Sequence, residues 1–588
     1  MTALAVTAGA RADDCFSEGA RPYRVIEIDQ GAIGPPANLD LPLGVSSNSI
    51  PIRRLTFGMN RHLEFVFFAP VSSVSGGVRA FVHLPVDAYG LDAGTHELPV
   101  PSTAPGAGVV VVAVDINDDG VIVGFVGDAV SFEELSSGVI EAFVWRLADS
   151  TQSSPAAIQT GESIHPTSLD LVGCKSAAWG VNNADPPVIV GAAAERFCDW
   201  PACVSIDPVY AFAKTLGTPS SAVWLPRNAA GISRAYAANS TSPPLAVGLS
   251  GGKFMLDAPL EQPCGPPAIG YPCPWEGDPP APVNPDAGIT WFLSGSPSLG
   301  LLTSLVGAEA SGAGAGVDDA GHIVGDSGCP SSRRATFWED FEASPFDLAA
   351  VCGGDASTAI GRADDVVTVF VCDEEEELVI VVGGDVADGG RVWGRFDSLW
   401  CCEALSDRVL PISTVSVDGE YDIEYAHAVA PSGQMIVHGR PRGVTSPPPF
   451  SAYFLTCAAD FNGDGRVDGA DLGELLNLWG PCPSSGPCPG NLNPEHDDVV
   501  DGADLGILLN SWSGEEPCTV WPGVTCPTSM FAGGMSSEDA FAMAIGFLGF
   551  TDADDLAAWF ATADELSRDA VLVSIMSIMA AAQSATEE

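Results

Sequence analysis

The chain has 588 residues, of which 46% are hydrophobic and 17% charged, a composition that folds and that at this length makes roughly three or four ordinary domains, or one large repeat domain with satellites. Its 24 basic residues against 76 acidic ones give a formal net charge of -52, which repels phosphate backbones and anionic lipid and argues against nucleic acid as a partner. The 65 Gly and 47 Pro imply many turns and short strands, so a mainly β protein is expected. Most of the carboxylates read as solvated surface groups, and only those clustered at ligand spacing count toward a metal.

In chain order, Met1 to Asp13 contains Ala10-Arg11-Ala12, a small-residue pattern of the kind cleaved in secretory signals. There is no basic start and the apolar stretch is short, so residues 1–12 read as the remnant of a signal or as an ordinary terminus. Nowhere does the chain run 18 apolar residues without interruption, so no transmembrane segment is expected. Sixteen cysteines, several in close pairs (Cys198 and Cys203, Cys264 and Cys273, Cys482 and Cys488, Cys518 and Cys526), point to an oxidising compartment and disulfide-closed loops. Zinc is the weaker account, because the pairs sit in Pro-rich loops without CxxC spacing. Cys401 and Cys402 are adjacent and are expected to bond elsewhere.

From about residue 40 to 455 one phrase recurs: an apolar residue, Asn or Asp, a short polar turn, then a β-branched run ending near Gly. Ile116-Asn117-Asp118-Asp119-Gly120-Val121-Ile122-Val123-Gly124 and Val317-Asp318-Asp319-Ala320-Gly321-His322-Ile323-Val324-Gly325 are the clearest copies, and Val181-Asn182-Asn183 leading to Gly191 has a longer turn. Weaker copies lie at Met59-Asn60, Ala238-Asn239, Ile360 to Asp365 and Val429 to Gly439. Short aromatic strands follow most of them, at Phe81, Phe143 to Trp145, Phe212, Phe337-Trp338 and Tyr453-Phe454. Each unit is therefore a hairpin plus further strand, since Asn, Asp and Gly accept turn geometry and β-branched and aromatic residues suit a pleated half-buried surface. The average period, about 60 residues, is somewhat longer than common blade repeats, and about seven units are expected to pack as a propeller-like array. A series of β-sandwiches is the competing fold. The phrases resemble the HAF-type extracellular repeats, a family defined by pattern rather than activity. Asp115, Asn117, Asp119 and Gly120 look like the opening of a calcium loop, but Val123 and Val126 fall where further oxygens are needed, so a β-turn is the better account. The run Asp373 to Glu377 reads as a solvated acidic loop.

At Asp460 the pattern changes to Asp460-Phe461-Asn462-Gly463-Asp464-Gly465-Arg466-Val467-Asp468-Gly469-Ala470-Asp471, followed by Leu472, Leu475, Leu476 and Trp479 at the spacing of one helix face. Calcium takes six to eight oxygens, and a loop carrying them at positions 1, 3, 5 and 12 around a glycine at position 6 supplies them. The side-chain ligands are Asp460, Asn462, Asp464 and Asp471, with the Arg466 carbonyl at position seven and Asp468 acting directly or through water. Asp468 to Gly473 returns verbatim as Asp501 to Gly506, and Leu505, Leu508, Leu509 and Trp512 repeat the apolar stripe 33 residues on. The two helices are expected to bury these stripes against each other. The second loop, Asn491 to Asp501, lacks the glycine and is either two residues too long or begins at Asn493; its candidate ligands are Asn493, Glu495, Asp497, Asp501 and Asp504.

This duplicated segment, residues 460–512, resembles a type I dockerin. The resemblance implies an EF-hand-like pair of calcium-loop helices and docking to a cohesin-like or cell-surface protein. Contact positions ten and eleven are Gly469-Ala470 and Gly502-Ala503, which depart from that family's usual docking residues. Beyond Cys526, capping chemistry at Ser536 to Asp539 and helix starts at Asp552 and Asp564 predict a helical tail.

The organisation expected is therefore a β-repeat domain over 13–455, a dockerin-like calcium domain over 456–516, and a Cys-bridged linker with helical tail over 517–588. Two functions compete: a secreted or cell-surface, non-catalytic binding or scaffold protein associated with polysaccharide, and an extracellular carbohydrate-active hydrolase with an appended dockerin. No HExxH, GxSxG or Walker-type loop occurs and the eight histidines are scattered, which favours the first. A glycosidase needs only two carboxylates that can lie far apart in sequence, so the hydrolase stays open, and no catalytic residue is named.

Overall fold

A computed structural model describes residues 23–28, 58–70, 78–100, 110–127, 140–147, 162–163, 175–194, 209–217, 222–226, 232–251, 287–294, 296–305, 311–329, 332–352, 362–371, 376–385, 389–396, 399–410, 421–441, 451–483, 488–492, 499–514 and 516–520, with Leu556 and Trp559. The signal-like residues 1–12, Cys198, Cys203, Cys264, Cys273, Cys526 and nearly all of the helical tail lie outside them; Leu556 and Trp559 are helical and pack into the core next to the C-terminal helices.

The described strands form a seven-bladed β-propeller. Blades span 65–97, 110–163, 175–224, 232–301, 311–347, 362–404 and 421–457, each an antiparallel meander. The first two blades are joined through one parallel pair, Val78 with Val110. First strands of successive blades pack against each other around the centre, while exposed Val223, Leu301, Phe346 and Leu399 lie on fourth strands at the rim. Tyr23–Glu27 pairs antiparallel with Ser451–Cys457 and becomes the outer strand of the seventh blade, so the two ends of the β region are hydrogen-bonded to each other. The ring is sealed where Leu63, Phe65 and Phe67 of the first blade share a core with Ile436 and Phe454 of the seventh. Closure of this kind leaves only short sheet edges open to pairing with other chains.

The second blade shows what the repeated phrase does. Val110–Ile116 and Val121–Gly127 are its first two strands and Asn117 to Gly120 is the turn between them. The Asn117 side-chain oxygen accepts from the Asp119 and Val121 N–H groups, bracing its own turn, and its Nδ2 donates to the Asn182 carbonyl of the next blade at 2.9 Å. Asn60 donates to the Asn117 carbonyl, Asn182 to the Asn239 carbonyl and Asn239 to the Asp318 carbonyl. A buried amide ladder therefore ties five consecutive blades, which is why asparagine, able to accept and donate at once, recurs at this position. A second, exposed tier runs outside it: the N–H groups of Arg61, Asp118, Asn183 and Ser240 donate to the side chains of Asp118, Asn183, Ser240 and Asp319. The Asp115–Gly120 segment is a braced turn, and Asn117 is fully engaged in it.

The glycine closing the phrase faces a β-bulge in the first strand. The ladder shifts register at Ala113/Asp115, Ala235/Ala237 and Gly314/Gly316, and the opposed Gly124, Gly248 and Gly325 approach the first-strand carbonyls so closely that a Cβ would sit 1.9 Å from an oxygen. The tryptophan of the third strand clamps the preceding blade. Trp145, Trp291, Trp338 and Trp393 donate their indole N–H groups to the carbonyls of Pro99, Pro226, Thr303 and Leu348, each just beyond or beside a fourth strand.

The sixth blade breaks the phrase. Arg362 to Asp365, which the sequence pattern placed at a hairpin turn, belong to the long first strand Arg362–Val371, and the second strand is Glu376–Asp385. The ladder stops there, and Asp318 instead accepts from Thr368 Oγ1 at 2.5 Å and contacts His322 Nδ1 at 3.2 Å.

Asp115 and Asp365 occupy equivalent bulge positions on the first strands of the second and sixth blades. Each accepts one backbone N–H of its own strand and one from the next blade, Val181 and Val429 respectively. Burial pushes Asp115 up to about 6 and Asp365 up to about 7, in the latter case with the Asp115 and Asp364 charges adding. A carboxyl whose folded pKa is raised contributes stability fully below its unfolded value near 3.8, and that contribution is lost as pH rises through the folded value. The melting temperature is thus expected to carry a declining component between about pH 4 and 7, and Asp365→Asn to flatten it. Equal pH slopes in the two proteins, measured by thermal denaturation, would remove Asp365 from this account.

Candidate metal centre

The third strand of the last blade, Ser451–Cys457, runs two residues past the expected domain boundary and leads directly into the acidic loop. Gly463 and Gly465 take positive φ, 77° and 84°, which turns the loop back on itself. Helix α1 is a single turn in the fifth blade, Leu348–Val351; the loop ends in α2, Gly469–Asn477, and its duplicate in α3, Gly502–Asn510.

Asp460 and Asp471 are buried. Asp460 accepts from the Gly463 and Gly465 N–H groups at 2.7 and 2.9 Å and from Thr456 Oγ1 at 2.5 Å. Asp471 accepts from Phe461, Asn462 and Asp468 N–H groups. Asn462 and Asp464 bond each other and the loop backbone at its outer rim. Asp468 caps α2 through the Ala470 N–H, completing a capping box with Asp471. Burial, opposed by the Thr456 bond and reinforced by the Asp471 and Asp464 charges, lifts Asp460 to about 7; burial first, then the Asp464 charge, lifts Asp471 to about 6. Among the described residues, no three His, Cys, Asp or Glu side chains converge as a ready cage; the carboxylates are turned onto the loop's own N–H groups. The donors gathered along the loop are oxygens only, with two carboxylates kept in the interior against their preference, and this chemistry fits a hard divalent cation.

The second half reproduces the first. Asp501 caps α3 through Ala503 N–H, Asp504 completes the box, and the capping residues share nearly identical backbone angles. Leu492 N–H donates to Asp504 Oδ1 as Phe461 N–H does to Asp471, and Asn491 N–H donates to the Cys488 carbonyl as Asp460 N–H does to that of Cys457. These bonds align Asn491, not Asn493, with Asp460. The second loop is therefore the longer version, with two residues inserted after Leu492. Asn493, Glu495 and Asp497 lie outside the described residues.

The apolar stripes do more than meet each other. Leu472, Leu475, Leu476, Leu505, Leu508 and Leu509 join one continuous core with Tyr453, Leu455 and Met435 of the seventh blade. Cys482 bonds Cys488 as the spacing suggested. Cys518, however, pairs with Cys457 across 61 residues rather than with nearby Cys526, because the chain after α3 returns to the strand that launched the loop. There the Cys518 N–H donates to the Gly465 carbonyl and the Val520 N–H to the Ser432 carbonyl. Cys402 bonds Cys352, and Cys401 is also in a disulfide, so neither bonds its neighbour. Ala470, Gly502 and Ala503 are exposed, and Gly469 is buried.

One charged cluster escaped the sequence reading, at the junction of the fifth and sixth blades. Arg395 pairs with Glu339 and Glu377 beside His322. Burial opposes protonation of His322, but the bonded Asp318 carboxylate outweighs it and raises the ring's pKa above 6.5. Asp318 and Thr368 share the same ring nitrogen, whereas in a catalytic triad the hydroxyl nucleophile and the orienting carboxylate occupy opposite nitrogens of the histidine base; the cluster closes the gap left by the ladder.

No protein-family model matches the sequence, and no curated protein does. Among solved structures, the chain is similar to a prolyl endopeptidase (9% identity, TM-score 0.34, covering 68% of this chain and 51% of that one). It is also similar to an ulvanlyase of a polysaccharide lyase family (10%, TM-score 0.34, 70% and 93%) and to the fucose-specific Aleuria aurantia lectin (10%, TM-score 0.25, 58% and 93%). The likeness thus spans about half the length of the endopeptidase, and none of these resemblances bears on what this chain binds. Among the described residues no helix is long and apolar enough to cross a membrane.

Proposed function

We propose that this is a secreted or cell-surface, non-catalytic binding or scaffold protein, a propeller carrying a calcium-stabilised, dockerin-like module. The observation that carries it is the first acidic loop, where Asp460 and Asp471 are buried side by side at raised pKa and where a bound calcium would relieve their repulsion. Asp460, Asn462, Asp464, Asp471 and the Arg466 carbonyl would hold the ion, with Asp468 directly or through water. Disulfides support an extracellular setting. A cohesin-like partner would be met at the exposed Ala470, Gly502 and Ala503, and a polysaccharide by the propeller.

The non-catalytic reading is supported by how the buried polar groups are used. Asp115 and Asp365 spend both oxygens on backbone N–H groups, Asn117 and its equivalents form the ladder, and His322 is held by Asp318. Turnover of a glycan or peptide panel by the full chain would overturn it in favour of a hydrolase.

Calcium is tested by titration calorimetry of the full chain. Wild type is expected to release binding heat, and Asp464→Ala, which removes one charge and one ligand from the exposed rim of the loop, to weaken binding by at least about tenfold. Equal affinity in both proteins would displace Asp464 from the site.

A further inference from the structure

We propose that the calcium module also has a partner within the chain, the propeller itself: the module acts as a clasp that holds the ring closed, with Arg24 as its pin. The inference rests on the calcium reading above.

Arg24 lies on Tyr23–Glu27, the strand that closes the last blade. Its Nε donates to the Ala458 carbonyl and its Nη2 to the Pro489 carbonyl, both at 2.9 Å. Those carbonyls are equivalent: each belongs to the residue two before the first loop position, Asp460 in one half and Asn491 in the other. One guanidinium from the closing strand thus reads both halves of the module at matching points, through two donors that its rigid planar fork holds at fixed spacing. It also stacks over the Phe461 ring, 4.2 Å from its centroid, and Phe461 is the residue whose N–H Asp471 holds. Desolvation brings the Arg24 pKa down to about 10, against the Asp460, Asp471 and Glu474 charges that support its protonation.

Other contacts set the loop on the same seam. Gln434 Nε2, in the first turn of the seventh blade, donates to the Gly465 carbonyl at 3.0 Å and to Thr456 Oγ1 at 3.1 Å, and Thr456 in turn holds Asp460. Gly465 packs against Leu63 of the first blade and Gly463 against Ile26 of the closing strand, so that a Cβ on Gly465 would lie 2.2 Å from the Leu63 side chain. The loop therefore touches the closing strand, the last blade and the first blade, the three pieces that must meet for the ring to shut. Anything that orders the loop favours the closed ring, because a ligand stabilises the state that binds it.

The test uses the full chain, freed of metal with chelator and titrated with calcium, with hydrogen exchange followed over 23–28 and, as reference, over Leu245–Gly251 in the fourth blade, whose buried residues belong to cores separate from the one that holds the module. Calcium at a hundred times its dissociation constant is expected to slow exchange over 23–28 by about tenfold or more while leaving the reference unchanged. In Arg24→Ala calcium still binds, and the slowing over 23–28 falls away. Should that variant not fold, Arg24→Lys, which keeps the charge but reaches one carbonyl, is expected to show an intermediate slowing. Binding heat with unchanged exchange over 23–28 would overturn the clasp and leave the calcium site standing. No binding heat would overturn both. Equal slowing in wild type and both variants would remove Arg24 from the coupling.

Discussion

Asn117→Ala is expected to destabilise the propeller by about 2–4 kcal/mol, because it strands the buried Val121 N–H and Asn182 carbonyl, each of which costs about 1–3 kcal/mol when left unpaired. The alanine fits the space, so the loss comes from hydrogen bonding and not from a clash. Asn183→Ala is the matched control from the outer tier: its side chain accepts from the exposed Asp118 N–H, water replaces it, and the change is expected to stay within about 0.5 kcal/mol. Urea denaturation of both variants decides the matter. Equal losses would mean that the two tiers contribute alike and that the inner ladder is not what binds blade to blade.

That ladder also explains which parts of the fold could be read from sequence. Asn60, Asn117, Asn182, Asn239 and Asp318 are visible because one local phrase must do three things at once: end a strand, brace a turn and bond the next blade. The sixth blade was misplaced at Ile360 to Asp365 because its hairpin reaches further and does without the Asn, leaving only the bulge, which by itself has no strong composition. The closing strand at Tyr23 was not legible, since nothing local in Tyr-Arg-Val-Ile-Glu states that its partner lies at residues 453–457. The cysteines show the same limit. Cys482 and Cys488 close a short loop and are read at once, whereas Cys518 finds Cys457 only after the helices have folded back. In the acidic loops, the turn and helix of the first half follow from residues that all sit within twelve positions. In the second half two registers fit the spacing equally, and the bond from Leu492 N–H to Asp504 selects the one beginning at Asn491. Arg24 carried no signal: its role exists only because propeller closure brings residue 24 beside residues 458 and 489.

Gly124→Ala is expected to cost about 3 kcal/mol or more, at or beyond the upper end of what overpacking usually does, because the added Cβ would lie 1.9 Å from the Val112 carbonyl oxygen. The obstacle is backbone, and it cannot swing aside as a side-chain tip would. Relief requires the bulge at Ala113/Asp115 to open, which pulls on Asp115 and through it on Val181 of the next blade; the damage is therefore expected to spread to blade packing and to lower the cooperativity of unfolding as well as its midpoint. Gly506→Ala tests the same chemistry with the opposite sign. Gly506 lies inside α3, its added Cβ would meet nothing within 4 Å, and alanine is expected to stabilise the helix by about 0.5–1 kcal/mol through the backbone entropy glycine loses on folding. Thermal denaturation of the two single variants reads both signs. A tolerated alanine at position 124 would show that the bulge yields easily and that the repeated glycine is there for the turn alone; loss of stability at 506 would show that α3 is pressed against a surface that the glycine, and only the glycine, allows it to approach.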